Sequence, residues 1–220
     1  HSQPQVCTQL KLGQQTKAIS EIVLALNAAK PLLEDSDIEY QLADFFNNSL
    51  LIYKNNIRKE YIIGHISHDN LEGDDHANTI YGQEGSDKLD GKKGNDTLKG
   101  GKGEDIYLFR SGDGQDVIED DSNANDLDVI KFENRETNIP SEDIKNLARV
   151  ENNLVITHGT GHDTIRVNNY FTTDPKRMRI KTSSSMRYNM WDLVREAEDK
   201  TKATNGLLNS WSYKFGNLAH

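Results

Sequence analysis

Residues Gly82 to Leu108 read GQEGSDKLD, GKKGNDTLK and GGKGEDIYL, three consecutive units of nine residues. Each unit begins with glycine, has aspartate at its sixth position and a large hydrophobic or aromatic side chain at or beside its eighth position. The same phase continues outward as GHISHDNLE from Gly64, GDDHANTIY from Gly73 and, after two inserted residues, SGDGQDVIE from Ser111. We number these six units in chain order. Six units in one phase are typical of a repeat architecture in which each unit stacks on its neighbours.

Two positions are kept in every unit. The sixth position holds a carboxylate or an amide, at Asp69, Asn78, Asp87, Asp96, Asp105 and Asp116. The eighth holds a side chain that can be buried, at Leu71, Ile80, Leu89, Leu98, Tyr107 and Ile118. The Gly-rich first half of a unit must turn, because glycine accepts backbone conformations that a Cβ forbids. Since two units complete one turn of a coil, we predict a mainly β fold: a parallel β-roll with two short-stranded parallel sheets.

The turns of this roll present oxygen atoms at regular intervals. Loops two units apart stack, which places Asp69, Asp87 and Asp105 on one side and Asn78, Asp96 and Asp116 on the other. Carboxylates mixed with backbone carbonyls are the ligands of Ca²⁺, which takes six to eight oxygens. We therefore predict several calcium ions, one in each of three gaps: Asp69 to Asp87, Asp87 to Asp105, and Asn78 to Asp96. The two inserted residues, Phe109 and Arg110, are expected to disturb the stacking, which leaves a fourth site between Asp96 and Asp116 open.

The core of such a roll is one residue thick, so hydrophobic burial alone cannot offset the entropy of ordering the block. The row of carboxylates also repels itself when no cation is present. We therefore expect the block to be disordered at low calcium and folded at millimolar calcium.

The flanks differ from the repeats, and we predict four segments: 1–63, 64–120, 121–187 and 188–220. In the first, apolar residues from Ile19 to Leu26 follow helical spacing, and a second helix is expected after Asp35 or Ser36. The third is predicted to be β-rich, with strands at Val129–Phe132, Leu154–Thr157, Thr164–Val167 and Tyr170–Phe171. The last begins with a short helix from about Met190 to Lys200.

Composition excludes several classes of protein. The net charge is −9, which argues against a nucleic-acid partner, because phosphate binding needs a surplus of Lys and Arg. A single cysteine, Cys7, forbids an intramolecular disulfide. HExxH, GxSxG and P-loop motifs do not occur, so no catalytic residue is predicted. His65, His68 and His76 could in principle hold zinc, but their positions on loops favour solvent exposure.

The pattern GGxGxDxUx, where U is a large apolar residue, is best kept at Gly91–Lys99 and Gly100–Leu108, and it resembles the nonapeptide of the repeats-in-toxin (RTX) family. The segment from Gly103 to Asp120 is similar to the one that closes such blocks in haemolysin-type proteins, and Asn152–Phe171 is similar to their β-rich flank. The resemblance implies a secreted or cell-surface protein, exported by a type I secretion apparatus, that folds on meeting extracellular calcium. The last residues show no clear secretion signal, so we expect an excised fragment.

The resemblance also implies a set of ligands. In the family pattern these are the sixth-position carboxylate and the backbone carbonyls of the first four positions. Carried over, they are Asp87, Asp96 and Asp105 with Gly82, Gly85, Gly91, Gly94, Gly100, Gly101 and Gly103, and less securely Asp69, Asn78 and Asp116. Units one and two lack the inner glycines, so they are expected to bind weakly or to form a degenerate cap.

Three functions follow from the resemblance. The first is a non-catalytic calcium-binding module that supports secretion and activity of a pore-forming cytotoxin. The second is the equivalent block of a large surface adhesin, and the third is an accessory roll of a secreted protease or lipase. Each leaves a host membrane, glycan or receptor open as a further partner.

Overall fold

The computed structural model describes residues 39–40, 50–54, 58–119, 126–133, 144–159, 161–172, 178–181, 187–205 and 210–214. In these residues the chain forms sixteen short strands and one helix. The strands are β1 (Glu39–Tyr40), β2 (Leu50–Lys54), β3 (Arg58–Ile63), β4 (Asn70–Glu72), β5 (Thr79–Glu84), β6 (Lys88–Asp90), β7 (Thr97–Lys102), β8 (Ile106–Phe109), β9 (Gln115–Ile118), β10 (Asp128–Phe132), β11 (Asn146–Val150), β12 (Asn153–His158), β13 (Asp163–Val167), β14 (Met178–Lys181), β15 (Arg187–Asn189) and β16 (Ser210–Lys214). The helix is α1 (Met190–Asn205).

The strands form two sheets, and consecutive repeat strands alternate between them. One sheet has the order β1-β2-β3-β5-β7-β9-β13-β12-β11-β16, and the other has the order β15-β14-β10-β8-β6-β4. Leu71 lies level with Leu89, and Ile80 with Leu98, in parallel pairs of strands. The chain is therefore the predicted parallel roll, and the first repeats rise with a step of 18 residues per coil turn.

The eighth position of every unit is buried between the sheets, as the repeat pattern predicts. These side chains, Leu71, Ile80, Leu89, Leu98, Tyr107 and Ile118, are each at most 1% exposed. Their neighbours along a strand point outward, which gives β5 and β7 the same alternation of buried and part-exposed residues. One layer of apolar side chains thus fills the repeat block.

The roll extends beyond the six units. Strand β10 lies parallel to β8, and β14 lies parallel to β10, which adds two steps to the smaller sheet. Strand β13 lies parallel to β9 and continues the larger sheet. The segment predicted only as a β-rich flank therefore supplies further coil turns, and its strands bury Phe132, Ile165 and Ile180 in the same core.

Antiparallel strands close the sheets. At one end β3 pairs with β2, and β2 with β1. At the other end β13 is followed by β12, β11 and β16, while β15 closes the smaller sheet. Helix α1 contacts β14, β15 and β16 and buries Leu193, Val194 and Ala197. These additions cover strand edges that would otherwise offer unpaired backbone groups.

Two expectations for the flanks change. The predicted N-terminal helices lie outside the described residues, apart from Glu39–Tyr40. These two residues form a strand and not a helix, because they pair with the backbone groups at the edge of β2. Tyr170 and Phe171 form a turn instead of a strand. There Asn169 has a φ of 56°, and the Thr172 amide donates to the Asn169 carbonyl at 2.9 Å, which reverses the chain. The helix predicted near Met190 is confirmed.

Candidate metal sites between the stacked loops

The sixth-position side chains form a ladder along each side of the roll. On one side the Asp69 amide donates to Asp87 Oδ1 at 2.8 Å, and the Asp87 amide donates to Asp105 Oδ1 at 2.8 Å. On the other side the Asn78 amide donates to Asp96 Oδ1 at 2.7 Å. Each Oδ1 therefore ties its loop to the loop two units earlier, and the stacking predicted from the repeat phase is present.

The glycines of units three to five bring carbonyl oxygens close together. Gly85 and Gly94 have φ values of 134° and 137°, a region that L side chains rarely adopt. A Cβ on Gly85 would lie 2.6 Å from the Ser67 carbonyl oxygen, and one on Gly94 would lie 2.5 Å from that of His76. A Cβ on Gly103 would overlap the Gly85 carbonyl oxygen. The space that each missing Cβ leaves is therefore a cradle lined by carbonyl oxygens.

In units three and four a carboxylate oxygen lies beside the first glycine of the unit, Asp87 Oδ2 beside Gly82 and Asp96 Oδ2 beside Gly91. Asp87 and Asp96 are each 1% exposed, and the Oδ2 atom of each accepts no hydrogen bond from any described residue. A Cβ on Gly82 would overlap both Asp87 Oδ2 and the Gly100 carbonyl oxygen, so Oδ2 faces the gap towards unit five. A buried acceptor without a donor is costly. A hard cation that takes carboxylate and carbonyl oxygens fits this arrangement.

The protonation of these carboxyl groups reflects the same burial. Burial raises the pKa of Asp87 to about 6, and it raises the pKa of Asp116 to about 7 and of Asp96 to about 8. Neighbouring carboxylates add to the rise, Asp113 and Asp163 in the case of Asp116. A cation beside the carboxylates would favour their charged forms and act against this rise.

The comparisons with known proteins identify the repeats. The family model of the RTX calcium-binding nonapeptide repeat, four copies long, matches residues 58–89 and again residues 81–118.

Residues 58–118 are RTX calcium-binding repeats.

The cofactor of these repeats is Ca²⁺. A similar solved structure is the solution structure of the AlgE6R3 subunit from the Azotobacter vinelandii mannuronan C5-epimerase. It is 19% identical in sequence and covers 54% of this chain and 76% of that chain, with a TM-score of 0.38. No curated protein matches the sequence.

The first two RTX units differ from the others. In unit one the His65 amide donates to Asp69 Oδ2 at 2.7 Å, and in unit two the Asp74 amide donates to Asn78 Oδ1 at 2.8 Å. At the same second position, units three and four have left-handed residues, with φ values of 82° at Gln83 and 70° at Lys92. The backbone of units one and two thus satisfies the sixth side chain itself, whereas units three and four leave Oδ2 to another partner.

The insertion before unit six does not break the RTX ladder. The Asp96 amide donates to Asp116 Oδ1 at 2.9 Å, although 20 residues separate them, and Gly94 pairs with Gly114. The inserted Arg110 contacts Asp90 at 2.7 Å and Glu133 at 3.3 Å, so it joins neighbouring coil turns at the corner where the chain bulges. The gap between Asp96 and Asp116, left open from the sequence, is therefore built like the others.

Two aspartates that the repeat pattern missed accept backbone amides of the last two repeat units. The Asp105 amide donates to Asp128 Oδ1 at 2.8 Å, which continues one ladder past the repeats. Asp163 accepts from the Gly112 amide at 2.9 Å and from the Gly114 amide at 3.3 Å, and so fixes the loop of unit six. A sequence signal existed for Asp128, which stands two residues before the buried Ile130, the partner of Tyr107. Asp163 lies outside the repeat phase, because Ile165 is the partner of Asp116 and not of Ile118.

The three histidines do not gather into a zinc site. His68 and His76 are exposed as expected, whereas His65 is buried. His65 and His68 lie in the loop of unit one and His76 lies in the loop of unit two, on opposite sides of the roll. Across the described ranges, no three His, Cys, Asp or Glu side chains gather closely enough to hold a metal ion by themselves. An ion in the RTX roll would therefore draw on the loop carbonyls.

In the described ranges no helix is long and apolar enough to cross a membrane.

Proposed function

We propose that calcium ions occupy the gaps between RTX loops two units apart. The ion between units three and five is held by Asp87 and Asp105 with the carbonyl oxygens around Gly82, Gly85, Gly100, Gly101 and Gly103. The ion between units four and six is held by Asp96 and Asp116 with those around Gly91 and Gly94. The observation that carries this assignment is the buried Oδ2 of Asp87 and of Asp96, which accepts no hydrogen bond from the described residues.

The gap between units one and three and the gap between units two and four are weaker sites in this proposal. Asp69 Oδ2 already accepts the His65 amide, and Asn78 carries no charge. An ion there would have to displace a backbone hydrogen bond or manage with one carboxylate fewer. Asp69 and Asn78 therefore contribute mainly through the ladder of hydrogen bonds to Asp87 and Asp96.

Calcium is the switch that folds the roll. Bound calcium supplies positive charge that neutralises the stacked carboxylates and takes up their spare oxygens. The chain's own residues set the cradle: the left-handed Gln83 and Lys92 turn the loop, and Gly85 and Gly94 let neighbouring carbonyls approach. Without the ion, two or more buried carboxyl groups must take up protons or remain unsatisfied, so the metal-free roll is unstable at neutral pH.

A calcium titration of the chain tests this function. Circular dichroism should gain a β signal between micromolar and millimolar calcium and lose it on adding a chelator. Magnesium at the same concentration should have a much smaller effect, because it prefers a rigid octahedral shell with several waters. A β signal that is equal with calcium and with chelator would contradict the proposal.

We propose further that the module belongs to an exported, extracellular protein and has no catalytic role of its own. Within this proposal it supports type I secretion and the activity of a pore-forming cytotoxin. The support is the RTX block and the likeness of Gly103–Asp120 to the segment closing such blocks in haemolysin-type proteins. The parent protein should release dye from vesicles or lyse host cells only with calcium. Calcium-dependent adhesion without lysis would favour an adhesin, and hydrolysis would favour a protease or lipase.

A further inference from the structure

The gap between units four and six carries more negative charge than the other gaps between units one and six. Asp96 and Asp116 line it, as sixth-position residues line every gap. A third carboxylate, Asp113, lies in the loop of unit six and is 1% exposed. The third residues of units three, four and five are Glu84, Lys93 and Lys102, whose side chains are exposed. Unit six is thus the only one of units three to six, all of them described, with a buried carboxylate at this position.

Backbone contacts fix Asp113 directly beside the gap. The Gly94 amide of unit four donates to the Asp113 carbonyl at 2.8 Å, and Gly94 also pairs with Gly114. The Asp113 carboxylate accepts from the Arg110 amide through Oδ2 at 2.8 Å. Its charge acts on both carboxyl groups of the gap, since it helps to raise the pKa of Asp96 and of Asp116. The three acidic groups are therefore buried and act on one another through their charges, although they do not converge closely enough to hold an ion without loop carbonyls.

Two positive charges of these loops make their ion pairs outside the gap, and the Arg110 guanidinium also attracts Asp113 through its charge. The Arg110 guanidinium contacts Asp90 and Glu133. Lys93, in the loop of unit four, is more than half exposed and reaches back to Asp75 at 2.8 Å. Asp96 Oδ2 lies beside Gly91 of its own unit, and no described donor satisfies this buried oxygen. The arrangement needs a cation more than any other gap between units one and six.

We propose that Asp113 makes the gap between units four and six the first of the gaps between units one and six to bind calcium. The inference rests on the proposed function and names the order of filling within it. Its reason is electrostatic: calcium affinity rises with ligand charge and site rigidity, and a further buried carboxylate beside the ligands attracts the cation through its charge. The loop of unit six is rigid because Asp163 accepts both the Gly112 and Gly114 amides.

The first test follows loop amides of the whole chain by NMR during titration with calcium chloride. Gly94 and Gly114 report on the gap between units four and six, and Gly85 and Gly103 report on the gap between units three and five. We expect Gly94 and Gly114 to shift or appear at lower calcium than the other pair. If Gly85 and Gly103 respond first, or if both pairs respond together, the inference is wrong.

The second test compares Asp113→Asn with Asp75→Asn by calcium competition against a chelator. Asp75 has the same third position in unit two, but it is exposed and pairs with Lys93. Asp113→Asn should weaken the tightest binding step by about tenfold, whereas Asp75→Asn should change it by less than about twofold.

Two further outcomes separate the alternatives. If Asp113→Asn lowers the melting temperature in chelator but leaves the tightest step unchanged, Asp113 only caps the Arg110 amide and the inference fails. If the unmodified chain binds no calcium at all, the proposed function itself fails. Should Asp113→Asn not reach the native dichroism at saturating calcium, the order of the glycine amides in the unmodified chain decides.

Discussion

Units one and two lie in the same roll as units three to five, but their sixth-position side chains are satisfied differently. In units one and two a backbone amide, from His65 or Asp74, satisfies the sixth-position side chain. In units three and four the residue at that place is left-handed, and the carboxylate Oδ2 is left buried without a described donor. In units one and two the backbone therefore satisfies the sixth-position side chain, and in units three and four a carboxylate oxygen remains for an ion. The second residue of a unit matters as much as its aspartate.

Removal of calcium should have the largest effect on this comparison. When the free calcium concentration is 100 times the dissociation constant of a site, binding there stabilises the folded state by about 2.7 kcal/mol, and several sites act together. We expect amide exchange in chelator to lose protection throughout Gly82–Leu108, with the hydrogen bonds of the ladders. Hydrogen exchange followed by mass spectrometry measures this. Protection that survives in units three to five without calcium would remove the distinction between the two groups of units.

Replacing one aspartate in each group should sharpen the comparison. Asp87→Asn removes the charge whose Oδ2 faces the gap to unit five, so half-saturation should need about tenfold more calcium. Asp69→Asn is the matched control one coil turn earlier, and its Oδ2 is already engaged by the His65 amide. We expect it to change half-saturation by less than about twofold. Calcium titrations followed by circular dichroism give both values, and equal shifts would show that the two units bind alike.

The pH dependence should have opposite signs with and without calcium. In the metal-free fold the pKa values of Asp87, Asp116 and Asp96 are raised to about 6, 7 and 8. The pKa of aspartate in the unfolded chain is about 3.9. The metal-free fold is therefore most stable below that pH and loses stability as the pH rises through 6 to 8. Calcium must displace these protons, so its half-saturating concentration should fall from pH 6 to pH 8.

Titration calorimetry in buffers of different ionisation enthalpy counts the protons that calcium releases. We expect release at pH 7 in the unmodified chain and less in Asp96→Asn, because the pKa of Asp96 is raised the most of these three. Calcium binding that releases no proton between pH 6 and pH 8 would contradict this account of the gaps.

The smallest expected effect concerns the second residue of a unit. Lys92→Gly removes a side chain from a left-handed residue, so it should be neutral or stabilise the calcium-loaded fold by up to about 1 kcal/mol. His65→Gly, at the same position of unit one, should destabilise it by about 0.5 to 1 kcal/mol, because His65 has no left-handed backbone to relieve. Thermal melts in saturating calcium compare the two variants. The same sign for both would show that the loop conformation does not distinguish the units.

The sequence was sufficient for the repeat block because its period fixes its geometry. An aliphatic or aromatic residue every nine positions, with aspartate two residues before it, determines which loops stack and which side chains are buried. The burial of Tyr107 and the hydrogen bond from the Asp69 amide to Asp87 follow directly from that phase. The choice of calcium as the bound ion follows from the chemistry of the oxygens, and the family comparison confirms it.

Other features could not be predicted because they depend on contacts distant in the sequence. The insertion at Phe109 and Arg110 was expected to disturb stacking, but Arg110 finds partners at Asp90 and Glu133, one coil turn away on either side. Strand β13 joins β9 after a long excursion through β11 and β12, so no period announces it. The role of Asp113 also depends on burial, which a single aspartate in a Gly-rich loop does not reveal.

The 18-residue step of the ladders restricts how such a roll can change its length. Duplication or loss of one nine-residue unit would send every later strand to the opposite sheet. Strand β13 would then arrive on the side where β14 belongs, and the closing strands could not reach their partners. Growth or shortening of the block in pairs of units leaves both sheets, and everything joined to them, in place.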